Sequence, residues 1–290
     1  PSANPPEDGE RIDVSFGERG LAAFDMDGEL VWHQDLGRMN NYWGTAGSPL
    51  LYKDRIIVYQ DISSSSFVAA FDITTGEQVW STDRRASVVW GSPIAIRVDG
   101  HDEVIVHSQN RVTAYDPDDC SELWFCNGNN FEVIPTPVVG YGMLFCSSGR
   151  AGPTLAIRPG GQGDVTDTHL VWSSPRGSPF VPSPVLYEDQ LYIVNDMNAV
   201  VTSFSAESGD TLFQGRLGVA QREGFSASPI AFGDKVFFTN DNGQTFVLRA
   251  GPEFESLHVN DIGEQMLASP ALVDGRWYMR TASSLVAIGE

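Results

Sequence analysis

Residues 69–80 read AAFDITTGEQVW, and this stretch decides the fold. Its first residues form a short apolar run suited to a buried strand. Asp72 can bond the backbone of the turn that follows, and Gly76 can take the positive φ that reverses it. Trp80 then ends a second short strand. Relatives of the first half recur along the chain as LAAFD, VAAFD, VTAYD, TLAIR, VTSFS, FVLRA and LVAIG. The strand after the turn usually ends in an aromatic: Trp32, Trp80, Trp124, Trp172 and Phe213. Gly28 and Gly209 precede their aromatics by four residues, as Gly76 does. Cys120 takes that place before Trp124, so a different turn is open to that copy.

Working outward, a Ser-Pro or Thr-Pro dipeptide marks the start of each copy, at Ser48, Ser92, Thr136, Ser183, Ser228 and Ser269. Their spacings are 44, 44, 47, 45 and 41 residues. Each dipeptide leads into an apolar stretch, a polar turn and a β-rich run: RIIVYQ, EVIVHS, MLFCSS, LYIVND, VFFTND and WYMRT. RIDVSF at residues 11–16 is the same run in an earlier copy. No segment keeps a 3.6-residue apolar period. Four short strands in about 44 residues is the arithmetic of a propeller blade.

The chain therefore reads as one all-β domain over residues 1–290, a β-propeller of about seven four-stranded blades. Their approximate bounds are 1–36, 47–84, 91–128, 135–175, 182–217, 227–261 and 268–290. The last copy lacks its fourth strand, and the first strand of the first copy is Pro-rich and poorly formed. Propeller rings normally close by pairing strands from the two termini, which removes the sheet edge. A further strand, or a whole blade, is therefore expected upstream of Pro1. Blades in such a fold touch only their neighbours, so each needs a large flat side chain at its outer strand. Trp32, Trp80, Trp124, Trp172 and Phe213 are assigned that structural docking role.

These motifs resemble the tryptophan-docking repeat of the pyrroloquinoline-quinone-like (PQQ-like) propeller superfamily, over residues 11–290. The superfamily implies a ring of eight blades, of which this chain is a fragment. One of its branches oxidises alcohols or sugars with PQQ and calcium. Another is non-catalytic and includes the lipoprotein subunit of the bacterial outer-membrane β-barrel assembly machinery. The segments GSPLLYKDRIIVY, LAIRPGGQGDVTDTHLVWS and LRAGPEFE also resemble bacterial secreted PQQ-like repeat proteins. The resemblance implies an extracytoplasmic location, periplasmic or secreted.

The 290 residues carry a net charge of −20, with Lys53 and Lys235 the only lysines. Such a surface repels phosphate backbones and anionic lipid, which argues against nucleic-acid and peripheral membrane binding. No apolar run reaches the about 18 residues of a membrane span. The three cysteines, Cys120, Cys126 and Cys146, are assigned structural roles. Cys120 and Cys126 flank a strand that holds them beyond disulfide reach.

In a propeller the segments before each innermost strand surround the channel mouth. Here they carry Tyr42, Trp43, Trp90, Phe131, Phe180, Phe225, Gln265 and Met266. The turns between second and third strands should reach the same face with Arg150, Asn195, Asn240 and Arg280. Aromatics with a few polar groups around a concavity make up a small-molecule or peptide site. The candidate site is therefore Trp43, Trp90, Phe131, Phe180, Phe225, Arg150, Asn195, Asn240 and Arg280. The alternative for these aromatics is mutual packing that plugs the channel.

No catalytic or metal-binding residue is assigned. Glu132, Glu264, Asp196 and Asp241 lie near the mouth as isolated acids, and the five histidines are scattered among the blades. The Gly-rich GGQGD at residues 160–164 opens no helix and reads as a hairpin extension in blade four. The quinoprotein dehydrogenases imply adjacent cysteines and a Glu, Asn and Asp calcium set, and no segment here matches those motifs. The reading is a monomeric, non-catalytic scaffold or ligand-binding module of the bacterial envelope, with a protein or small molecule at the propeller face and no cofactor. The alternative is a PQQ-dependent oxidoreductase, or a degenerate relative, that uses PQQ with calcium.

Overall fold

A computed structural model describes residues 4–37, 44, 46–62, 65–150, 152–175, 177–219 and 224–289. The chain is an all-β propeller of seven blades, each built on an antiparallel sheet from one copy of the repeat, with one added parallel strand on blade three. Blade one has β1 (Arg11–Ser15), β2 (Leu21–Asp25) and β3 (Leu30–Gln34). Blade two has β4 (Leu50–Tyr52), β5 (Arg55–Gln60), β6 (Ser66–Asp72) and β7 (Gln78–Arg84). Blade three has β8 (Ile94–Val98), β9 (His101–His107), β10 (Arg111–Tyr115) and β11 (Glu122–Asn127). Blade four has β12 (Val138–Gly140), β13 (Met143–Ser147), β14 (Thr154–Ile157) and, after an excursion through β15 (Gly163–Asp164) and α1 (Thr166–His169), β16 (Leu170–Ser174). Blade five has β17 (Val185–Tyr187), β18 (Gln190–Asn195), β19 (Val200–Ser205) and β20 (Thr211–Arg216). Blade six has β21 (Ile230–Phe232), β22 (Lys235–Thr239), β23 (Gln244–Arg249) and β24 (Ser256–Asp261). Blade seven has three strands, β25 (Ala271–Val273), β26 (Arg276–Arg280) and β27 (Leu285–Ile288). The chain forms two compact units, Pro1–Thr136 with Pro159–His169, and Pro137–Arg158 with Leu170–Glu290.

In the first unit the Ser/Thr-Pro dipeptides stitch each blade to the next. Asn4 N–H donates to Ser48 Oγ (2.8 Å), Ser48 N–H to Ser92 Oγ (2.9 Å) and Ser92 N–H to Thr136 Oγ1 (3.4 Å). Asn4-Pro5 is thus the first copy of the dipeptide, one more repeat of 44 residues upstream of Ser48. The hydroxyl satisfies an amide that the strand ladder leaves open, and the following proline, which has no N–H to donate, sits at the start of an edge strand. The second unit repeats the device: Ser183 N–H donates to Ser228 Oγ and Ser228 N–H to Ser269 Oγ, both at 2.9 Å.

Alternating strand residues face opposite neighbours, which builds apolar layers between adjacent blades within each unit. Ile56, Val58, Ala69 and Phe71 meet Leu21, Ala23 and Trp32 of blade one. Ile57, Val68 and Ala70, on the other face, meet Val104, Val106, Tyr115 and Cys120 of blade three. In the second unit Phe145 and Ala156 meet Leu191, Ile193 and Phe204, and Tyr192 and Phe213 meet Val236, Phe246 and Leu248.

The outer aromatics lie against the following blade's turn wherever that turn has the AFDITTG form. Trp32 Nε1 donates to Ile73 O (2.9 Å), and a Cβ on Gly76 would stand 2.5 Å from the indole. Gly76 has φ +71°, so it serves both the turn and the close approach. Trp172 repeats this on Gly209 with Nε1 donating to Ala206 O (2.9 Å). Trp80 donates to Pro117 O (3.1 Å) and packs with Cys120. Cys120 keeps the glycine conformation at φ +62°, so this blade uses the same turn with a strained residue. Phe213 stacks edge-on against Phe254 of the PEFE segment, at 5.7 Å between centroids. Trp124 differs: it is fully buried and its Nε1 donates to Glu103 Oε2 of its own blade (2.8 Å).

The GGQGD segment departs from the expected simple hairpin extension. Gly163–Asp164 forms a parallel fifth strand on the outer edge of blade three, pairing with Trp124 and Phe125. A four-residue helix, α1, follows directly. Asp164 accepts from the Thr166 N–H (3.0 Å) and hydroxyl (2.6 Å), which nucleates that turn. The side chain of Asn127 donates to Asp164 and Thr166, and the Asn127 N–H donates to Thr166 Oγ1 (2.9 Å), so the strap is fastened to the edge.

Candidate interaction face

The segments before each Ser/Thr-Pro and the turns between second and third strands meet at the same ends of the blades. In the second unit Phe180 N–H donates to Asp196 Oδ1 and Ser226 N–H to Asp241 Oδ1, both at 2.7 Å. Burial raises the Asp196 carboxyl above its usual range, against the pull of the Phe180 amide. Met266 N–H donates to Asp241 O (3.1 Å), and Ala282 N–H to Gln265 O (2.9 Å). Glu264 accepts from the hydroxyls of Thr281 (2.6 Å) and Ser283 (2.9 Å), which hold its carboxyl below its usual range. In the first unit Trp90 bridges two such segments: its backbone N–H donates to Val133 O and its Nε1 to Gly44 O, both at 2.9 Å.

The candidate residues divide by exposure. Phe131 is 47% exposed, and Arg150 and Arg280 are exposed at their turns. The Arg150 guanidinium lies over the Phe180 ring at 5.1 Å, a cation–π contact on a half-buried aromatic. Phe225, by contrast, is 1% exposed and packs against Phe246 in the core, and Met266 is fully buried. Asn195 and Asn240 are buried too. Asn195 Oδ1 accepts from Asn198 N–H and Asn240 Oδ1 from Asn242 and Gln244 N–H, so both shape their turns. Their repeat position is shared with Gln60, Ser108 and Ser148. Trp43 and Tyr42 lie outside the described residues.

A buried polar cluster in the first unit has no counterpart among the candidates. Arg84 makes a two-pronged pair with Asp61, Nε to Oδ1 at 2.8 Å and Nη2 to Oδ2 at 3.0 Å. Ser108 Oγ donates to Asp61 Oδ2 (2.7 Å), and Arg84 also donates to Ser108 (2.5 Å) and the Tyr115 hydroxyl. Asp61 and Arg84 come from blade two, Ser108 and Tyr115 from blade three. Every strong donor and acceptor is matched, which a buried ion pair requires to offset its desolvation. Nearby, His107 is fully buried with Nδ1 donating to Pro135 O (3.2 Å), and burial pulls its pKa down to about 4. The only local signals for these groups were an Arg at the end of an outer strand and an Asp opening a serine-rich turn.

Residues 1–158 match the model of the family described as outer membrane protein assembly factor BamB. The chain belongs to that family. No match is found among the curated proteins. Among solved structures, this BamB-family chain is similar to BamB from Moraxella catarrhalis, at 15% identity and a TM-score of 0.75, covering 96% of this chain and 81% of that one. It is also similar to the quinohemoprotein alcohol dehydrogenase from Comamonas testosteroni, at 12% identity and a TM-score of 0.73, covering 96% of this chain and 62% of that one. A europium-containing methanol dehydrogenase gives 11% identity and a TM-score of 0.75 over 95% of this chain and 72% of that one. At these identities the likeness is one of fold.

The dehydrogenase neighbours make a quinone with a metal ion worth testing against the donors of this BamB-family chain. Among the described residues no three His, Cys, Asp or Glu side chains converge as a metal site would need. Asp196, Asp241 and Glu264 are each engaged with amides or hydroxyls of their own blade. The three cysteines are buried thiols, none joined in a disulfide, and burial pushes Cys126 up to about 11. These donors do not fit the group. No helix among the described residues is long and apolar enough to cross a membrane.

Proposed function

We propose that this chain is a non-catalytic scaffold that binds another protein through its blade ends and rims, outside the cytoplasm in the bacterial envelope. The observation that carries this reading is its membership of the BamB family, whose model spans residues 1–158. The chemistry of the blade ends supports it. Acids and amides there are tied into their own turns, while Phe131, Arg150 and Arg280 stand exposed. Aromatic and arginine side chains on a rigid frame suit protein contacts. The net charge of −20 favours a partner with a basic surface and disfavours nucleic acid. The scaffold works as a monomer and without a resident cofactor.

Titrating the purified chain with PQQ and calcium, with a dye-linked alcohol oxidation assay alongside, tests this reading. The expected outcome is no saturable binding and no turnover. Stoichiometric quinone uptake with alcohol oxidation would instead establish an oxidoreductase.

A further inference from the structure

The strap on blade three is an extended segment lying on an outer blade edge, and the edge of blade two is open. Strand β7, seven residues long, pairs with β6 on one side and with no strand of the described residues on the other. An open edge presents amides and carbonyls ready for another strand. The registers make the two edges equivalent. Trp80 pairs with Ala70 as Trp124 pairs with Ala114, so Ser81 stands for Phe125 and Asp83 for Asn127.

On blade three the strap uses three contacts. Gly163 and Asp164 run parallel to Trp124 and Phe125, Val165 N–H donates to Phe125 O (2.9 Å), and Asn127 grips Asp164 and Thr166 by side chain and backbone. Blade two offers the same backbone with one change of sign: the donor amide of Asn127 is replaced by the carboxylate of Asp83. Asp83 is exposed, and its carboxylate has no hydrogen-bond or ion-pair partner among the described residues. Ser81, smaller than Phe125, leaves the edge easier to approach. Beyond Asp83 the edge opens into a polar cleft of about 590 Å³ that also carries Ser65, Arg85, Ser87 and Gln109.

We infer that β7 is a docking edge for an extended segment of a partner protein, added parallel to β7 in the register of the strap. That segment carries a basic side chain where the strap has Asp164. The charge change at Asp83 and the net charge of −20 both select that sign. The inference rests on the scaffold reading above and names the part of the partner it would hold.

The strap supplies its own probe. A fluorescent peptide of residues 160–168, GGQGDVTDT, is made with lysine in place of Asp164, and its polarisation is followed on adding the 290-residue chain. Saturable binding is expected, at least ten-fold tighter than for the unchanged peptide and weakened by salt. Asp83→Lys should reverse the preference, so that the Asp-bearing peptide binds better. Asp83 is exposed, so unchanged thermal unfolding of D83K checks that the fold is intact. Binding of neither peptide, or a preference that D83K leaves unmoved, overturns the inference. A whole partner that still binds D83K as tightly as the parent chain would leave the scaffold reading standing and remove this edge from it.

Discussion

Asp13 should make this protein lose stability as the pH rises from about 4 to 6. In the registers of the seven blades, Asp13 occupies the place held by Ile57, Ile105, Phe145, Tyr192, Phe237 and Tyr278. It pairs with Ala23, so it shares the face that packs on Ile56, Val58 and Phe71 of blade two. Its side chain is fully buried, and neither carboxylate oxygen has a hydrogen-bond partner. Burial, with a smaller push from the Asp8 charge and an opposing pull from Arg11, raises its pKa from 3.8 to about 6. Between those values the folded chain keeps a proton that the unfolded chain releases. Stability is therefore highest below about pH 4 as far as this group is concerned, falls as pH rises through 4 to 6, and stays reduced above. At about 1.4 kcal/mol per pKa unit, less some screening by water, the loss at pH 8 is about 2–3 kcal/mol. Asp13→Asn should recover most of it at pH 8 and almost none at pH 4, as read by urea unfolding of both proteins across that range. Asp13→Ile, the residue of blades two and three, should gain at least as much. If Asp13→Asn tracks the parent protein at every pH, or is weakest at pH 8, the reasoning is wrong.

Other outcomes follow from the same geometry. Gly76→Ala places a Cβ against the Trp32 ring at a positive φ, so it should cost about 2–4 kcal/mol and shift the tryptophan emission on thermal melting. Arg84→Met alone should cost about 3–5 kcal/mol by leaving Asp61 buried and unmatched. The double variant with Asp61→Leu should cost far less than the two singles together, a coupling that urea titration reads directly. His107, pulled down to about 4 from 6.5 by burial, contributes stability that is complete above about pH 6.5 and lost as pH falls toward 4. His107→Gln should flatten that acid limb in unfolding curves taken at pH 4 to 7.

The blades were legible because their two strongest markers answer to local chemistry. A proline can only open an edge strand, and a positive-φ glycine can only sit where a ring or a turn needs it; both recur at a fixed spacing. The Pro-rich start of the first copy reads as a poorly formed strand, although Asn4-Pro5 keeps the 44-residue spacing from Ser48 and Asn4 N–H donates to Ser48 Oγ as in the later copies. GGQGD reads from sequence as a hairpin extension of blade four, because two residues of parallel pairing on blade three leave no periodic trace. The blade-end residues were only half legible. Repeat position predicts which turn a side chain belongs to, as for Arg150 and Phe131. Whether it is exposed depends on the neighbouring blade, which is why Phe225 and Asn240 are buried. The Asp61–Arg84 pair joins residues 23 apart and is completed from the next blade, beyond the reach of any local pattern.

The scaffold claim is tested most directly by offering the immobilised chain a bacterial envelope extract at low and high salt and identifying by mass spectrometry what is held in stoichiometric amount. The prediction is one discrete protein with a basic binding segment, released as salt rises. Retention of no protein by a folded chain that nevertheless turns over alcohol with quinone and calcium would contradict it.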